Sequence, residues 1–441
     1  MSVRVLKGDC RDVLATLSAD SIHCVVTSPP YWGLRDYNIE PTVWGGEAAC
    51  EHAWDNETVG TEIGRGNWAQ GVNGRGEEQP GGVEAKREPI RASAERAFCR
   101  HCGAWRGAYG LEPTIDLYVA HSVEIFRLVR RVLRNDGTLW LNLGDSYASG
   151  AGPPSDKSTL RGNGHVGGGG LKPKDLCGMP WRVAFALQAD GWYLRQDIIW
   201  SKPNPMPESV TDRCTRAHEY LFLLTRRPRY FYDAEAIRES AQYGRRDTAG
   251  QWRGGAYVNQ KGAQNNAVTN GGGNSVTGRH PEFGRNKRSV WEIPSEPFPE
   301  AHFATFPPAL IEPAILAGTS ERGCCAKCGA PWRRQIEKSG GTTGKSWHDH
   351  QNDLAHGQKG GSALRVGLQD YQVKTTGWSP SCECDAAAVP CTVLDPFGGS
   401  GTVGLVALNR NRNCILIDLN DEYVAMARRR VFGPLFAGVA E

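Results

Sequence analysis

The chain reads as an α/β fold with a mainly parallel sheet, and three observations predict it. Short apolar, β-branched runs alternate with stretches whose apolar residues recur at helical spacing. Residues 391–441 give strand, glycine-rich turn, helix and strand in close succession. The segments between are rich in Gly, Asn and Arg and poor in aliphatics, so they insert into a core rather than building one.

In chain order, residues 9–17 carry Val13, Leu14 and Leu17 at helical spacing, and residues 22–27 (IHCVVT) form a buried strand ending at Ser28-Pro29-Pro30. Residues 117–133 are an amphipathic helix. Arg134-Asn135-Asp136-Gly137 reads as a turn, before a buried strand over 138–143. Residues 149–170 are glycine-rich and read as a mobile loop. A helix over 180–189 and strands over 194–200 and 218–225 follow. Residues 242–288 and 340–377 are polar stretches without a core. Residues 392–395, 401–409, 414–419 and 420–431 close the chain as strand, helix, strand and helix.

With 441 residues, 39% hydrophobic and 22% charged, the chain is long enough for one large catalytic domain with insertions, or for two domains. The net charge is +3, but residues 201–290 hold 15 Lys+Arg against 8 Asp+Glu, a local +7 that suits a polyanionic partner. No stretch approaches the roughly 18 apolar residues of a membrane span. The first ten residues lack a signal-peptide core. A cytoplasmic, reducing location is therefore expected, with the 14 cysteines as thiols and metal ligands rather than disulfides.

Two loops carry the chemistry. Near the C-terminus, Asp395-Pro396-Phe397-Gly398-Gly399-Ser400-Gly401 follows a strand and opens a helix. Glycines let the backbone turn sharply and approach a ligand, and the helix start offers free N–H donors. Asp418 ends the next strand, where a carboxylate can accept both hydroxyls of a ribose. The spacing differs from GxGxxG, which disfavours a dinucleotide. This arrangement looks like the S-adenosylmethionine site of Rossmann-like methyltransferases.

Near the N-terminus, Thr27-Ser28-Pro29-Pro30-Tyr31-Trp32 follows a buried strand. An amino group on a base is a poor nucleophile because its lone pair is delocalised into the ring. Hydrogen-bond acceptors on its two N–H bonds localise that pair. Ser28 supplies a hydroxyl, the Pro29 carbonyl supplies a second acceptor held by the prolines' fixed φ, and Tyr31 supplies a stacking face. The base must leave the duplex to reach them.

Together these motifs resemble the β-type DNA amino-methyltransferases of bacteria and phages, a permuted order in which the catalytic loop precedes the glycine loop. The resemblance covers most of the chain apart from the insertions. It implies a Rossmann-like S-adenosylmethionine methyltransferase fold with Ser28, Pro29, Pro30 and Tyr31 as catalytic residues. The implied cofactor-binding residues are Asp9, Cys10, Thr27, Phe306, Asp395, Phe397, Gly398, Gly399, Ser400, Gly401 and Asp418. The implied organisation starts with the catalytic core over 1–37 and an insertion with a zinc knuckle over 38–112. The core continues over 113–232, with target recognition over 233–290 and a cofactor-lining segment over 291–320. A second knuckle insertion over 321–390 precedes the S-adenosylmethionine-binding βαβ over 391–441. Within the target-recognition segment, Trp252, Tyr257, Asn259, Gln260, Arg245, Arg246, Arg253 and Lys261 are residue types that read base edges and hold phosphates. Ser-Pro-Pro-Tyr is typical of the enzymes acting on cytosine N4, whereas Asp- or Asn-Pro-Pro-Tyr is typical of those acting on adenine N6.

The cysteines form two near repeats, Cys99-Arg-His-Cys102-Gly and Cys325-Ala-Lys-Cys328-Gly. A CxxCG turn aims two thiolates at one metal. Cys50 and His52 complete a first set of four, and Cys382 and Cys384 a second, as two structural zinc sites. Cys324 in place of Cys325, and His101, His348 or His350 in place of a distal ligand, remain open. Asp145 reads as a pocket or turn residue, and Trp32, Trp44 and Trp200 as core.

The expected function is methyl transfer from S-adenosylmethionine to the exocyclic amino group of a flipped base, at N4 of cytosine. Rival readings are adenine-N6 methylation, methylation of RNA or a protein amide, and a catalytically inactive zinc-knuckle DNA-binding protein. Double-stranded DNA is the expected partner. A cognate restriction enzyme and a homodimer are further candidates that the sequence does not fix.

Overall fold

The computed structural model describes residues 1–33, 37, 39–56, 97–148, 171–239, 285–296, 305–339 and 372–433. The glycine-rich stretch at 149–170, the recognition residues named between 245 and 261, and His348 and His350 lie outside them. The chain divides into two compact units, one of Met1–Phe231, Ser289–Gly318 and Cys391–Glu441, the other of Tyr232–Arg288 and Thr319–Pro390.

In the first unit the order is β1 (Val3–Lys7), α1 (Cys10–Thr16), β2 (Ile22–Thr27), β3 (Thr42–Trp44), β4 (Trp54–Asn56), β5 (Ala97–Cys99), β6 (Trp105–Gly107), α2 (Ile115–Val132), β7 (Leu133–Leu143), α3 (Met179–Ala189), β8 (Tyr193–Ser201), β9 (His218–Thr225) and β10 (Val290–Glu292). In the second unit come β11 (Cys324–Cys325), β12 (Arg333–Ser339), β13 (Gln372–Ser379) and β14 (Ala388–Val389). The first unit supplies the rest: α4 (Pro308–Gly318), β15 (Thr392–Asp395), α5 (Thr402–Asn409), β16 (Asn413–Asp418) and α6 (Asp421–Phe432).

The eight-stranded sheet runs β1-β16-β15-β2-β7-β9-β8-β10. Only β9 runs against its neighbours, pairing antiparallel with β7 and β8, while the other pairs are parallel. Parallel strands covered on both faces read as continuous apolar runs, and β2 is buried at every position. Its side chains alternate between two helical layers. Val25 packs into the cluster that includes Leu14 of α1, Phe126 of α2 and Val183 of α3. Cys24 faces the other way and donates to the Ala314 carbonyl of α4. Gly318 at the end of α4 sits so close to Cys24 and Thr138 that an added Cβ would lie 2.7 and 2.5 Å from their sulfur and hydroxyl. Each large aliphatic or aromatic side chain fully buried in these layers contributes roughly 1.5–3 kcal/mol.

The expected turn at 134–137 is instead part of β7. On β2 the ladder steps from Ile22 to Cys24 while on β7 it steps from Leu133 to Thr138, so the extra residues form an irregularity in one strand. Its turn-forming residues made this segment look like a break. Several elements were not anticipated, among them edge strand β1, the strands β3–β6 and β10–β14 within or beside the polar insertions, β13 beginning inside the stretch 340–377 read as polar, and α4, whose composition is apolar all round and so carries no amphipathic signal. Among the described residues, no helix is long and apolar enough to cross a membrane.

In the second unit β12 and β13 form an antiparallel hairpin and β11 pairs with β14. Arg334 on β12 is bound by Asp233 and Glu321 at 2.9 and 2.7 Å and stacks over Trp378.

Candidate active site

β15 lies between β16 and β2, so the loops that leave the carboxyl ends of β2 and β15 emerge side by side. This is where open α/β sheets bind ligands. A cavity of about 770 Å³ opens there, and both Ser28-Pro29-Pro30-Tyr31 and Pro396-Phe397-Gly398-Gly399-Ser400 line it. Its size is that of a small-molecule site. Asp9, Cys10, Phe306 and Asp418 line it too, so most residues singled out in the sequence meet in one place.

Thr27, Asp395 and Gly401 are not in the lining. Thr27 Oγ1 donates to Asp395 Oδ1 at 2.7 Å, and the same oxygen accepts the Phe397 N–H at 3.0 Å. These buried residues tie the two loops together behind the cavity. Burial pushes the Asp395 carboxyl up to about 7. Gly401 caps α5 at φ +78°, and an added Cβ would lie 2.9 Å from the Ala427 backbone of α6.

On the side of the loop after β2 the Ser28 hydroxyl donates to the Tyr31 oxygen at 3.2 Å. The Tyr31 hydroxyl lies 2.8 Å from Glu219 Oε2 and 3.0 Å from Asn142 Oδ1. Burial, reinforced by the Glu219 charge, raises the Tyr31 pKa well above the ordinary phenol value, so the hydroxyl keeps its proton. Lys202 holds the other Glu219 oxygen and sits 4.2 Å from the centre of the Trp200 ring. Gly144 leaves room for Tyr31, because a Cβ there would lie 2.5 Å from its ring.

On the glycine-loop side Asp418 accepts the N–H of Gly399 at 2.8 Å and of Asn420 at 2.9 Å. Burial nonetheless raises its pKa. Asp9 caps α1 and is gripped by Arg11 at 2.7 Å, and Arg11 in turn stacks 3.7 Å over Trp44. Trp44 and Trp200 are buried as expected of core residues, yet both also line the cavity. Asp145 lies outside the lining; it accepts the N–H groups of Ser146 and of Met179 at the start of α3.

Asn142, Lys202 and Glu219 were not singled out in the sequence. The available signal was a polar residue at the end of an apolar strand: Asn142 near the end of β7, Glu219 near the start of antiparallel β9, and Lys202 just after β8. All three therefore come to the same edge.

A model of the N6/N4 DNA methylases matches residues 22–326 and 391–429. The chain belongs to the DNA methylase family. Type II methyltransferase M.XycI of Xanthomonas campestris pv. cyanopsidis is 34% identical over 437 residues, covering 97% of this chain and 87% of that protein. M.SmaI of Serratia marcescens is 32% identical over 436 residues, covering 98% and 91%. M.Cfr9I of Citrobacter freundii is 33% identical over 434 residues, covering 97% and 87%.

This DNA methylase also gathers its cysteines. The ligand atoms of Cys50, His52, Cys99 and Cys102 lie within 4.8 Å of one another, as do those of Cys325, Cys328, Cys382 and Cys384. The Cys50 and Cys99 sulfurs are 3.8 Å apart, about the separation of two thiolates on a tetrahedral zinc. Burial opposes ionisation of Cys99, but N–H groups of Cys102, His101 and Ala53 and the His52 ring outweigh it and bring the thiol to about 5. The Cys328 and Lys327 N–H groups bring Cys325 to about 7. Cys324 points elsewhere, donating to the Val389 and Pro390 carbonyls, so Cys325 is the member of the second cluster.

Proposed function

We propose that this DNA methylase transfers the methyl group of S-adenosylmethionine to the exocyclic amino group of a flipped base, at N4 of cytosine. One observation carries the reading: the Ser28-Pro29-Pro30-Tyr31 loop and the glycine loop line a single cavity. An amino acceptor and a methyl donor bound on the two loops would meet across it.

The residues present fit the donor. Gly398 packs against Ile417 and Leu416, where a Cβ would crowd the Ile417 carbonyl at 3.3 Å, and its N–H donates to that carbonyl, so the loop is held tight against β16 and a side-chain-free backbone faces the cavity. Asp418 would hold the ribose hydroxyls, Gly8, Asp9 and Cys10 the adenine side, and Phe306 the methionine side. When bound, the donor supplies an electrophilic sulfonium methyl. Thr27, Asp395 and Gly401 act by shaping the two loops rather than by touching the donor.

Ser28 and the Pro29 carbonyl would accept the two amino N–H bonds. The only Ser28 proton is already directed at Tyr31, so its lone pairs remain for the amino group. The Tyr31 hydroxyl is likewise committed, which leaves its ring as the surface for the base. Ser-Pro-Pro-Tyr supports cytosine over adenine. Mass spectrometry of nucleosides from DNA treated with the enzyme should show N4-methylcytosine; N6-methyladenine in its place would overturn the choice of base.

The two cysteine clusters are read as structural zinc sites. Zinc there would cross-link short strands flanked by segments poor in aliphatics. Metal analysis of the purified chain should give two zinc per chain, one for each four-residue cluster; less than one would refute the pair. The type II relatives point to the modification half of a restriction–modification system, with duplex DNA as substrate and a restriction enzyme as its counterpart.

A further inference from the structure

We propose that Ser28, Tyr31 and Glu219 form a proton relay that carries the proton lost from the target amino group to the Glu219 carboxylate. The inference rests on the reading of the site given above and adds to it the destination of that proton.

Three hydroxyl and carboxylate groups stand in series with their donors pointing the same way. The Ser28 hydroxyl donates to the Tyr31 oxygen at 3.2 Å, and the Tyr31 hydroxyl donates to Glu219 Oε2 at 2.8 Å. Asn142 Oδ1 is a second acceptor for Tyr31 at 3.0 Å. A carboxylate is the stronger acceptor of the two, and the shorter distance agrees. The Asn142 amide nitrogen is itself turned to Glu219 Oε2 and to the Tyr220 carbonyl, which fixes the carboxylate in place. Lys202 grips the other Glu219 oxygen. Both Lys202 and Glu219 line the cavity, and their side chains are 19% and 17% exposed, so the end of the relay reaches solvent through the site itself.

The step balances. A bond forms between the amino nitrogen and the methyl carbon, and the carbon–sulfur bond breaks with its electron pair left on sulfur. The nitrogen becomes acidic as its lone pair is used. Its proton passes to Ser28 Oγ, the former Ser28 proton to the Tyr31 oxygen, and the former Tyr31 proton to Glu219, which becomes a carboxylic acid. The positive charge lost from sulfur is matched by the negative charge lost from Glu219. Tyr31 is thus both the surface under the base and the middle link. Glu219 does not touch the substrate and acts through Tyr31.

Single-turnover methylation of unmodified genomic DNA with labelled S-adenosylmethionine tests this. Glu219→Gln keeps an acceptor for Tyr31 but cannot take a proton. It should bind S-adenosylmethionine and DNA as wild type does and transfer the methyl group about 100-fold more slowly, the lower end of the range for general-base contributions. Glu219→Ala leaves space for a small molecule. Formate should restore its rate, and formamide, an acceptor of similar shape that is not a base, should not. A wild-type rate in Glu219→Gln, or equal rescue by formate and formamide, would overturn the relay and leave Glu219 as a support for Tyr31. Should both variants misfold, the wild-type rate in mixtures of light and heavy water decides. A bowed dependence on deuterium fraction is expected from several protons in flight, and a flat one overturns the proposal. If the wild-type chain places no methyl on any amino group in DNA, the reading of the site fails first, which the same labelled assay shows directly.

Discussion

The loop after β2 and the loop after β15 leave neighbouring strands and face one cavity, yet they hold their shapes differently. The first is rigid through two prolines and through side chains: Ser28 to Tyr31, Tyr31 to Glu219 and Asn142, and the Tyr118 hydroxyl to the Pro30 carbonyl. The second is built from backbone. Gly398 N–H donates to the Ile417 carbonyl, Gly401 N–H to the Gly398 carbonyl, and Gly399 N–H to Asp418. A loop of side chains suits chemistry, since each group can be aimed at a reacting atom. A loop of backbone suits close contact with a ligand that presents hydroxyls and charge. Substitutions should therefore separate the two: side-chain changes in the first loop strike turnover, and backbone changes in the second strike folding and ligand affinity.

The largest separation is expected from Ser28→Ala. Loss of the acceptor should slow methyl transfer by about 10²–10⁴-fold, the usual worth of a positioned acid–base group. S-adenosylmethionine affinity, measured by calorimetry, should stay near wild type. Equal damage to both quantities would break the distinction drawn between the loops.

Asp395, which joins the loops, comes next. Burial raises its folded-state pKa from 3.8 to about 7, so the folded protein holds that proton more tightly than the unfolded chain does. The resulting stability is fully present below 3.8 and is lost as pH rises through 7. Asp395→Asn retains an acceptor for Thr27 and Phe397 but cannot ionise. Relative to the variant, wild type should lose on the order of 4 kcal/mol between pH 4 and pH 8. Parallel melting curves for the two proteins across that range would show instead that the carboxyl ionises without cost.

Gly401→Ala should give the smallest of the three effects. The residue stands at φ +78° against the Ala427 backbone, so the methyl group adds both backbone strain and a clash. A loss of about 1–3 kcal/mol is expected, read as a lower melting temperature. Single-turnover methylation at a temperature where the variant is folded and saturated with donor should change far less than in Ser28→Ala. A larger fall there would give the glycine loop a part in the chemistry.

The sequence by itself determined the alternation of strands and helices and the two motifs that end strands. Each is a local pattern: apolar runs of strand length, a pair of prolines, glycines before a helix, CxxCG turns. It also picked out the two CxxCG turns, whose spacing is local, but the choice of Cys325 over Cys324 came from the fold, which turns Cys324 towards the Val389 and Pro390 carbonyls. What only the tertiary structure decided is strand order. Pairing β15 with β2 brings Thr27 against Asp395 across most of the chain's length, and it is why those residues join loops instead of lining the cavity. Pairing β9 antiparallel between β7 and β8 brings Asn142, Lys202 and Glu219 to Tyr31. Their patterns differ little from those of other polar residues at strand ends. Hydrophobic periodicity records which face of a strand is buried, but not which strand lies beside it; that follows from packing two helical layers on one sheet.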